Sequence, residues 1–416
     1  MKRWLILVIC LLVLSGCSRY TPIEMSTAAM EEETDGEMGE QAEDMSVEPA
    51  NAQEQPTVTT EPEEKMVQIT DEGGDIPDRE PVKVKGIYIS AYVAGSEEMM
   101  NNIIANIDAT ELNAVVIDFK DDEGRITTPL DVPAFNEIGA CKGYVKDMRA
   151  LIQKLKEHNI YAIARVVTFR DPYLAEQKPE WSLKKGDGSV YRDKKGMAWI
   201  NPYKQEVWDY LLEVGRQARA VGFDEIQFDY IRFSTEASMQ EVVFDDNDTL
   251  GRSKTDIITE FTEYAYKNLA PTGLFVSADV FGAIIGSEQD ADAVGQIYGR
   301  MAANLDYICP MIYPSHYGEG NFGLDYPDKH PYETILAALH ASKEDLEPHK
   351  TEGVEQAIVR PWLQDFTASY LKNYIKYGDE QIRDQIRAVK DAGYDEWILW
   401  NASNKYHFGG VEKEVE

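Results

Sequence analysis

Several short apolar runs in this chain end in residues that a buried strand has no reason to carry. One closes on Asp118-Phe119-Lys120, another on Gln227-Phe228-Asp229-Tyr230-Ile231-Arg232, a third on Ser277-Ala278-Asp279, a fourth on Tyr313-Pro314-Ser315-His316-Tyr317 and a fifth on Gln364-Asp365. In extended chain, successive side chains point to opposite faces. Val276, Ala278 and Val280 therefore share one face, leaving Ser277 and Asp279 on the other, and the same alternation puts Gln227 and Asp229 together. Two carboxylates on adjacent strands are what glycosidic bond cleavage requires: one acid to protonate the leaving oxygen, and one base or nucleophile on the other side of the sugar. Asp229 and Asp279 are the candidate catalytic pair, with Asp118 and Asp365 as further acids at run ends.

Sugars present apolar C–H faces that stack on rings and hydroxyls that take planar hydrogen-bonding partners. Tyr88, Tyr230, Tyr313, Tyr317, Trp362 and Trp400 all fall near the ends of such runs. Arg165, Arg232 and Arg360 lie near or within runs, where an unpaired guanidinium is costly to bury. They are expected to pair with the site carboxylates and to contact substrate. His316 reads as a sugar contact or a surface residue. No grouping of His, Cys and Asp has metal-ligand spacing, so neither a metal nor a cofactor is expected. The substrate-binding candidates are thus Tyr88, Asp118, Arg165, Arg232, Tyr313, His316, Arg360, Trp362, Asp365 and Trp400.

These residues need a scaffold that gathers many strand ends on one face. Strand-like runs occupy 84–90, 114–120, 161–169, 225–233, 274–282, 307–314, 358–366 and 396–403. Between them, Tyr144, Met148, Leu151, Ile152 and Leu155 recur at the spacing of one helix face. Asn201-Pro202 reads as a cap followed by Pro at the first helical position, with the helix ending at Val221-Gly222. Gly222-Phe223-Asp224-Glu225-Ile226 is echoed by Gly393-Tyr394-Asp395-Glu396-Trp397: a Gly that ends a helix left-handed, then a strand at once. Eight such units predict an α/β fold, a (β/α)8 barrel, with its ligand site at the carboxyl ends of the strands. An open doubly wound sheet is the competing arrangement, but no Gly-rich phosphate loop follows the first run.

The 416 residues carry 74 Asp plus Glu against 41 Lys plus Arg, a formal charge of −33. That balance excludes a basic nucleic-acid binder, which needs clustered cationic charge. Nearly half of the net charge sits in residues 18–80, where 19 acids face three bases and Tyr20 is the only aromatic. Such a segment buries too little to offset its ordering entropy and predicts a disordered acidic linker. Before it, Met1-Lys2-Arg3, an apolar stretch from Trp4 to Leu14 and small residues before Cys17 make a signal peptide too short to span a membrane comfortably. Leu14-Ser15-Gly16-Cys17 resembles the lipobox of bacterial lipoproteins. That resemblance implies a diacylglycerol on Cys17, a membrane anchor and an extracytoplasmic location. Cys141 and Cys309 are too far apart in sequence to establish a disulfide framework. The expected order is a signal peptide over 1–17, the linker over 18–81 and a barrel over 82–412, monomeric in solution.

The segments FDEIQFDYIRF, SADVFG, PMIYPSHY, RPWLQDF and WILWNAS together resemble an uncharacterised bacterial family of glycosyl hydrolase domains, over a span from about Val84 to Phe408. More widely they resemble barrel glycosidases of the α-amylase type, in which an Asp ending the fourth strand is the nucleophile and an acid ending the fifth is the acid/base. The resemblance implies Asp229 as nucleophile and Asp279 as proton donor. Gln227 stands where that pattern has an Arg two residues before the nucleophile, and Asp279 stands where it has Glu. A chitinase-like reading of Met311-Ile312-Tyr313 and Trp400 fails, because Ile231 falls at the position of that family's catalytic Glu. The implied activity is hydrolysis of a poly- or oligosaccharide; the alternative is a barrel that binds surface polysaccharide without cleaving it. From Pro81 onward the chain carries −19, which suits a neutral glycan better than an anionic one unless the strand-end arginines make a local exception.

Overall fold

The computed structural model describes residues 74–350 and 355–411. The expected signal peptide, Cys17 and most of the acidic linker lie outside the described residues. The strands are β1 (Lys85–Ile89), β2 (Ala114–Lys120), β3 (Tyr161–Val167), β4 (Glu225–Asp229), β5 (Phe275–Phe281), β6 (Tyr307–Met311), β7 (Ile358–Val359), β8 (Trp362–Gln364) and β9 (Trp397–Trp400). Every neighbouring pair is parallel, and the pairings β1 with β9 and β5 with β6 close the sheet on itself. β7 and β8 are two halves of one stave: both pair with β6, and Arg360-Pro361 separates them. Pro361 has no N–H to give to the ladder, so the hydrogen bonding lapses there. The result is an eight-stave parallel barrel ringed by helices, a (β/α)8 fold.

Period-two alternation sorts the strand side chains into two cores. Val115, Ile117, Ala162, Ala164, Ile226, Phe228, Val276 and Ala278 face outward and pack with the helices. Val116, Ile163, Cys309, Trp362 and Ile398 fill the barrel axis beneath Tyr88. Continuing the inward rows toward the carboxyl ends brings Asp118, Arg165, Asp229 and Asp279 to the mouth.

Six longer helices surround the staves: α1 (Glu97–Asp108), α2 (Met148–Glu157), α3 (Gln205–Val221), α4 (Lys254–Leu269), α5 (Pro331–Leu346) and α6 (Asp379–Asp391). The Asp147 side chain caps α2 by accepting the Ala150 N–H at 2.9 Å, so Tyr144 falls before the helix and is exposed. α3 starts later than the Asn201-Pro202 signal predicts. The Asn201 side-chain carbonyl accepts the Tyr203 N–H at 3.1 Å and spends that cap on a local turn. Gly222 and Gly393 do adopt the left-handed conformation, at φ 110° and 78°, and turn the chain into β4 and β9. Between β3 and α3 the chain forms a small antiparallel flap, with bridges Ser182 to Ile200, Lys184 to Val190 and Arg192 to Ala198.

The opposite end of the barrel is closed by charge. Arg360 donates from Nη1 to Glu225 at 2.9 Å and from Nε to Glu396 at 2.8 Å, with its guanidinium 3.7 Å from the Tyr307 ring centroid. Across the same floor, Arg79 donates to both oxygens of Asp306 at 2.9 and 2.8 Å and to the Leu274 carbonyl. No helix among the described residues is long and apolar enough to cross a membrane.

Candidate active site

Arg165, from β3, organises the mouth. Its Nε and Nη2 both donate to Asp229 Oδ2, at 2.9 and 2.7 Å, and its Nη1 donates to Asp118 Oδ1 at 2.7 Å and to Asp122 Oδ2 at 3.1 Å. Asp118 also accepts the Tyr88 hydroxyl at 2.6 Å. Parallel register explains the reach: Arg165 lies opposite Gln227, two residues before Asp229. The guanidinium absent at Gln227 is thus supplied from the neighbouring strand. Three carboxylates around one guanidinium are not equally compensated. Burial pushes the Asp118 carboxyl up despite Arg165, whereas at Asp122 burial acts upward and Arg165, joined by Arg170 and Lys120, more than offsets it, holding the carboxyl low.

Asp229 ends β4, and its Oδ1 accepts the backbone N–H of Tyr230 at 2.6 Å. Tyr230 sits at φ 50°, a left-handed conformation that a bulky aromatic residue seldom adopts. This turn ends the strand there and explains why the expected run to Phe233 stops early.

Asp279, on β5, has a different environment. It is 3% exposed, and the Trp362 indole N–H donates to its Oδ1 at 2.6 Å. Burial, and then the negative charge of Asp229, push its carboxyl well above the ordinary carboxylate range. Asp279 is therefore the acid of the pair that holds a proton more tightly than an ordinary carboxyl does, and Trp362 engages only one of its two oxygens. The adjacent wall is aromatic: Tyr88 stacks on Trp400 at 4.3 Å, and Trp400 meets Trp362 edge-on at 5.6 Å. Trp400 is half-buried, so this wall has an open part on which a sugar face can stack.

Next to Asp229, Arg170 donates to Asp193 at 3.0 Å and to the Tyr230 hydroxyl at 3.2 Å. Trp199 bonds Asp193 at 3.2 Å. Arg232 lies against Phe281, Tyr230 and Trp199, at 4.3, 5.1 and 5.2 Å from the ring centroids.

The sequence model of a family described as "Putative glycosyl hydrolase domain" matches residues 86–406, which span the barrel from β1 to β9. The chain belongs to this family. No curated protein matches it in sequence. Among solved structures, a hypothetical protein from Ruminiclostridium thermocellum is 38% identical over 47% of this chain and 97% of its own, with a TM-score of 0.43. The PgaB (BpsB) glycoside hydrolase domain from Bordetella bronchiseptica is 12% identical over 80% of this chain and 100% of its own, with a TM-score of 0.51, a likeness of fold.

Within this glycosyl hydrolase domain, Tyr88, Asp118, Arg165, Asp229, Asp279, Trp362 and Trp400 come together at the mouth. Tyr313 and His316 lie close by, their rings edge to face at 5.0 Å, and burial lowers His316 to about 4, so it is neutral at physiological pH. Two candidates do not join the cluster. Arg360 belongs to the floor, because its register against β6 places it at the amino-terminal end of the barrel, where Glu225 and Glu396 neutralise it. Asp365 is sealed behind β8, where both its oxygens are taken by His407, through the backbone N–H at 3.0 Å and the ring Nδ1 at 2.5 Å. Asp122, Arg170, Asp193, Trp199 and Phe281 were not among the candidates. The acidic pair Asp121-Asp122 just past β2 was a usable signal; Asp193 and Trp199 sit in a flap without periodicity.

Proposed function

We propose that the protein is an extracytoplasmic glycoside hydrolase that cleaves a poly- or oligosaccharide with Asp279 as proton donor and Asp229 as its partner. The observation that carries the reading is the contrast between two acids on adjacent strands. Asp279 is buried, with its carboxyl pushed well above the ordinary range; Asp229 is ion-paired with Arg165. Asp279 gives its proton to the glycosidic oxygen as the bond to the anomeric carbon breaks, and the leaving sugar departs as an alcohol. Asp229 either attacks that carbon through Oδ1, forming an ester that water then hydrolyses with Asp279 as base, or takes the proton of an attacking water. NMR of the first-formed anomer separates the two courses.

The test is release of reducing ends from a panel of glycans by the wild-type protein, Asp229→Asn and Asp279→Asn. Activity undiminished in Asp229→Asn sinks the assignment. A specific observation favours a second reading, a barrel that binds glycan without cleaving it: Asp229 is only 8% exposed and both its oxygens are engaged. Glycan affinity in a titration with no reducing ends released from any member of the panel would establish that reading instead.

The lipid anchor on Cys17, the linker over 18–81 and attachment to the bacterial cell membrane belong to the same proposal. Their support is the Leu14-Ser15-Gly16-Cys17 motif and the composition of the segment after it. Mass spectrometry that finds an unmodified Cys17 in membrane-associated protein refutes the anchor.

A further inference from the structure

We propose that the aromatic recess holding Arg232 is a subsite for a carboxylate carried on the sugar, which makes the substrate an acidic glycan. The inference takes its position beside Asp229 from the hydrolase reading, but its chemistry stands on Arg232 itself.

Arg232 is 8% exposed, and among the described residues its side chain makes one hydrogen bond, from Nη1 to the Phe233 carbonyl at 2.9 Å. Among the described residues it has no carboxylate within ion-pairing distance. Three other buried arginines do: Arg165 has Asp229, Arg170 has Asp193, and Arg360 has Glu225 and Glu396. A buried guanidinium without a counter-charge is costly, and folds seldom leave one without a use for it. Burial lowers Arg232 to about 10, which still leaves it charged at neutral pH. Among the described residues its Nε and Nη2 N–H groups have no acceptor, and neither atom is fully sealed.

The recess is built at the mouth. Tyr230 follows Asp229 at the end of β4, Phe281 ends β5, and Trp199 comes from the flap after β3. Three rings lie around the guanidinium, and a guanidinium edge matches a carboxylate with two parallel hydrogen bonds. The charges around it are Asp229, Arg170 and Asp193. Arg170 is paired with Asp193, and Asp229 with the Arg165 it shares with Asp118 and Asp122, so none of these groups pairs with Arg232 itself. This is the local exception to the acidic surface, and it reverses the sequence-based expectation of a neutral glycan. The carboxylate has two chemical sources on a sugar, the C5 position of a uronic acid or an ether-linked lactyl group.

Calorimetric titration of the full chain with oligogalacturonate, a glucuronate-bearing oligosaccharide and an N-acetylmuramyl disaccharide, each against its own methyl ester, tests the subsite and separates the two sources. At least one acid is expected to bind about tenfold tighter than its ester, an advantage that shrinks as salt rises. In Arg232→Gln the preference should fall to about twofold or less with ester binding and melting temperature retained, and Arg232→Lys should keep part of it. Equal binding of acid and ester to the wild type, no binding of any acid, or a preference that survives intact in Arg232→Gln overturns the proposal. If Arg232→Gln does not fold, the wild-type ratio and its salt dependence still decide. An acid preference without release of reducing ends keeps the subsite and sinks the hydrolase reading; hydrolysis of neutral and acidic glycans alike does the reverse.

Discussion

The barrel buries an arginine at each end of its axis, and the two are built for different ends. At the floor, Arg360 is shared by Glu225 and Glu396, which are themselves tied down: Ser277 donates to Glu225 at 2.5 Å, and the Val84 N–H donates to Glu396 at 3.2 Å. These contacts stitch β4, β5, the split stave and the start of β9, and the cluster is sealed from solvent. At the mouth, Arg165 is shared by Asp118, Asp122 and Asp229, with Asp279 beside them. There four acids crowd one guanidinium, and burial raises the proton affinity of Asp118 and Asp279. The floor cluster ties staves together; the mouth cluster spreads the proton affinities of its acids, which acid/base chemistry needs.

Four substitutions break or sharpen this contrast. The largest effect is expected for Asp229→Asn: hydrolysis should fall on the order of 10⁴-fold, with no loss of melting temperature, since it relieves an excess of negative charge around one guanidinium. A much lower melting temperature would make the mouth as structural as the floor. Arg360→Met should do the opposite. Two carboxylates lose their counter-charge, and denaturant unfolding should show a loss of about 3–5 kcal/mol, while the turnover of the molecules that remain folded is unchanged. The triple change Arg360→Met, Glu225→Gln and Glu396→Gln should recover most of that loss.

Asp279→Asn should slow cleavage of natural glycosides by about 10²–10⁴-fold, and far less with a nitrophenyl leaving group that departs without a proton. Because the Asp279 carboxyl is held well above the carboxylate range, the alkaline limb, where wild-type activity falls as the pH rises, should lie well above that range. Asp279→Asn should lack that alkaline limb in a pH–rate profile.

The smallest effect concerns Asp121, pushed up to about 7 by burial and then by its acidic neighbours Asp118, Asp122 and Glu123. The folded chain binds this proton more tightly than the unfolded chain does, so stability should decline as pH rises from about 4 to about 7 and then level off. Asp121→Asn keeps an acceptor for the Glu123 and Arg125 N–H groups. It should raise the melting temperature at pH 8 and hardly change it at pH 4, as scanning calorimetry at the two values would show.

Much of the scaffold was legible because a buried parallel stave must be an apolar run, and the ranges 114–120 and 161–169 contain β2 and β3 in full. Period two also identified the inward row of β4 and β5. It could not say at which end of the barrel an inward residue sits. Arg360 and Arg165 both read as strand arginines expected to pair with the site carboxylates, and only the register of β7 against the start of β6 sends Arg360 to the floor. The positive φ of Tyr230 and the loan of a guanidinium from β3 to Asp229 are likewise products of register and packing, with no mark in the local sequence.

The segment before β1 adds a sense of direction. Arg79 grips Asp306 and lies over Phe275, at the amino-terminal ends of β6 and β5, and Gly74 lies against Pro271 on the same side. The chain therefore comes to the barrel from behind. Residue 74 thus stands at the rear of the barrel, with the acidic mouth at the other end. The grip at Arg79 fixes that placement and leaves the approach to the mouth clear of the entering chain.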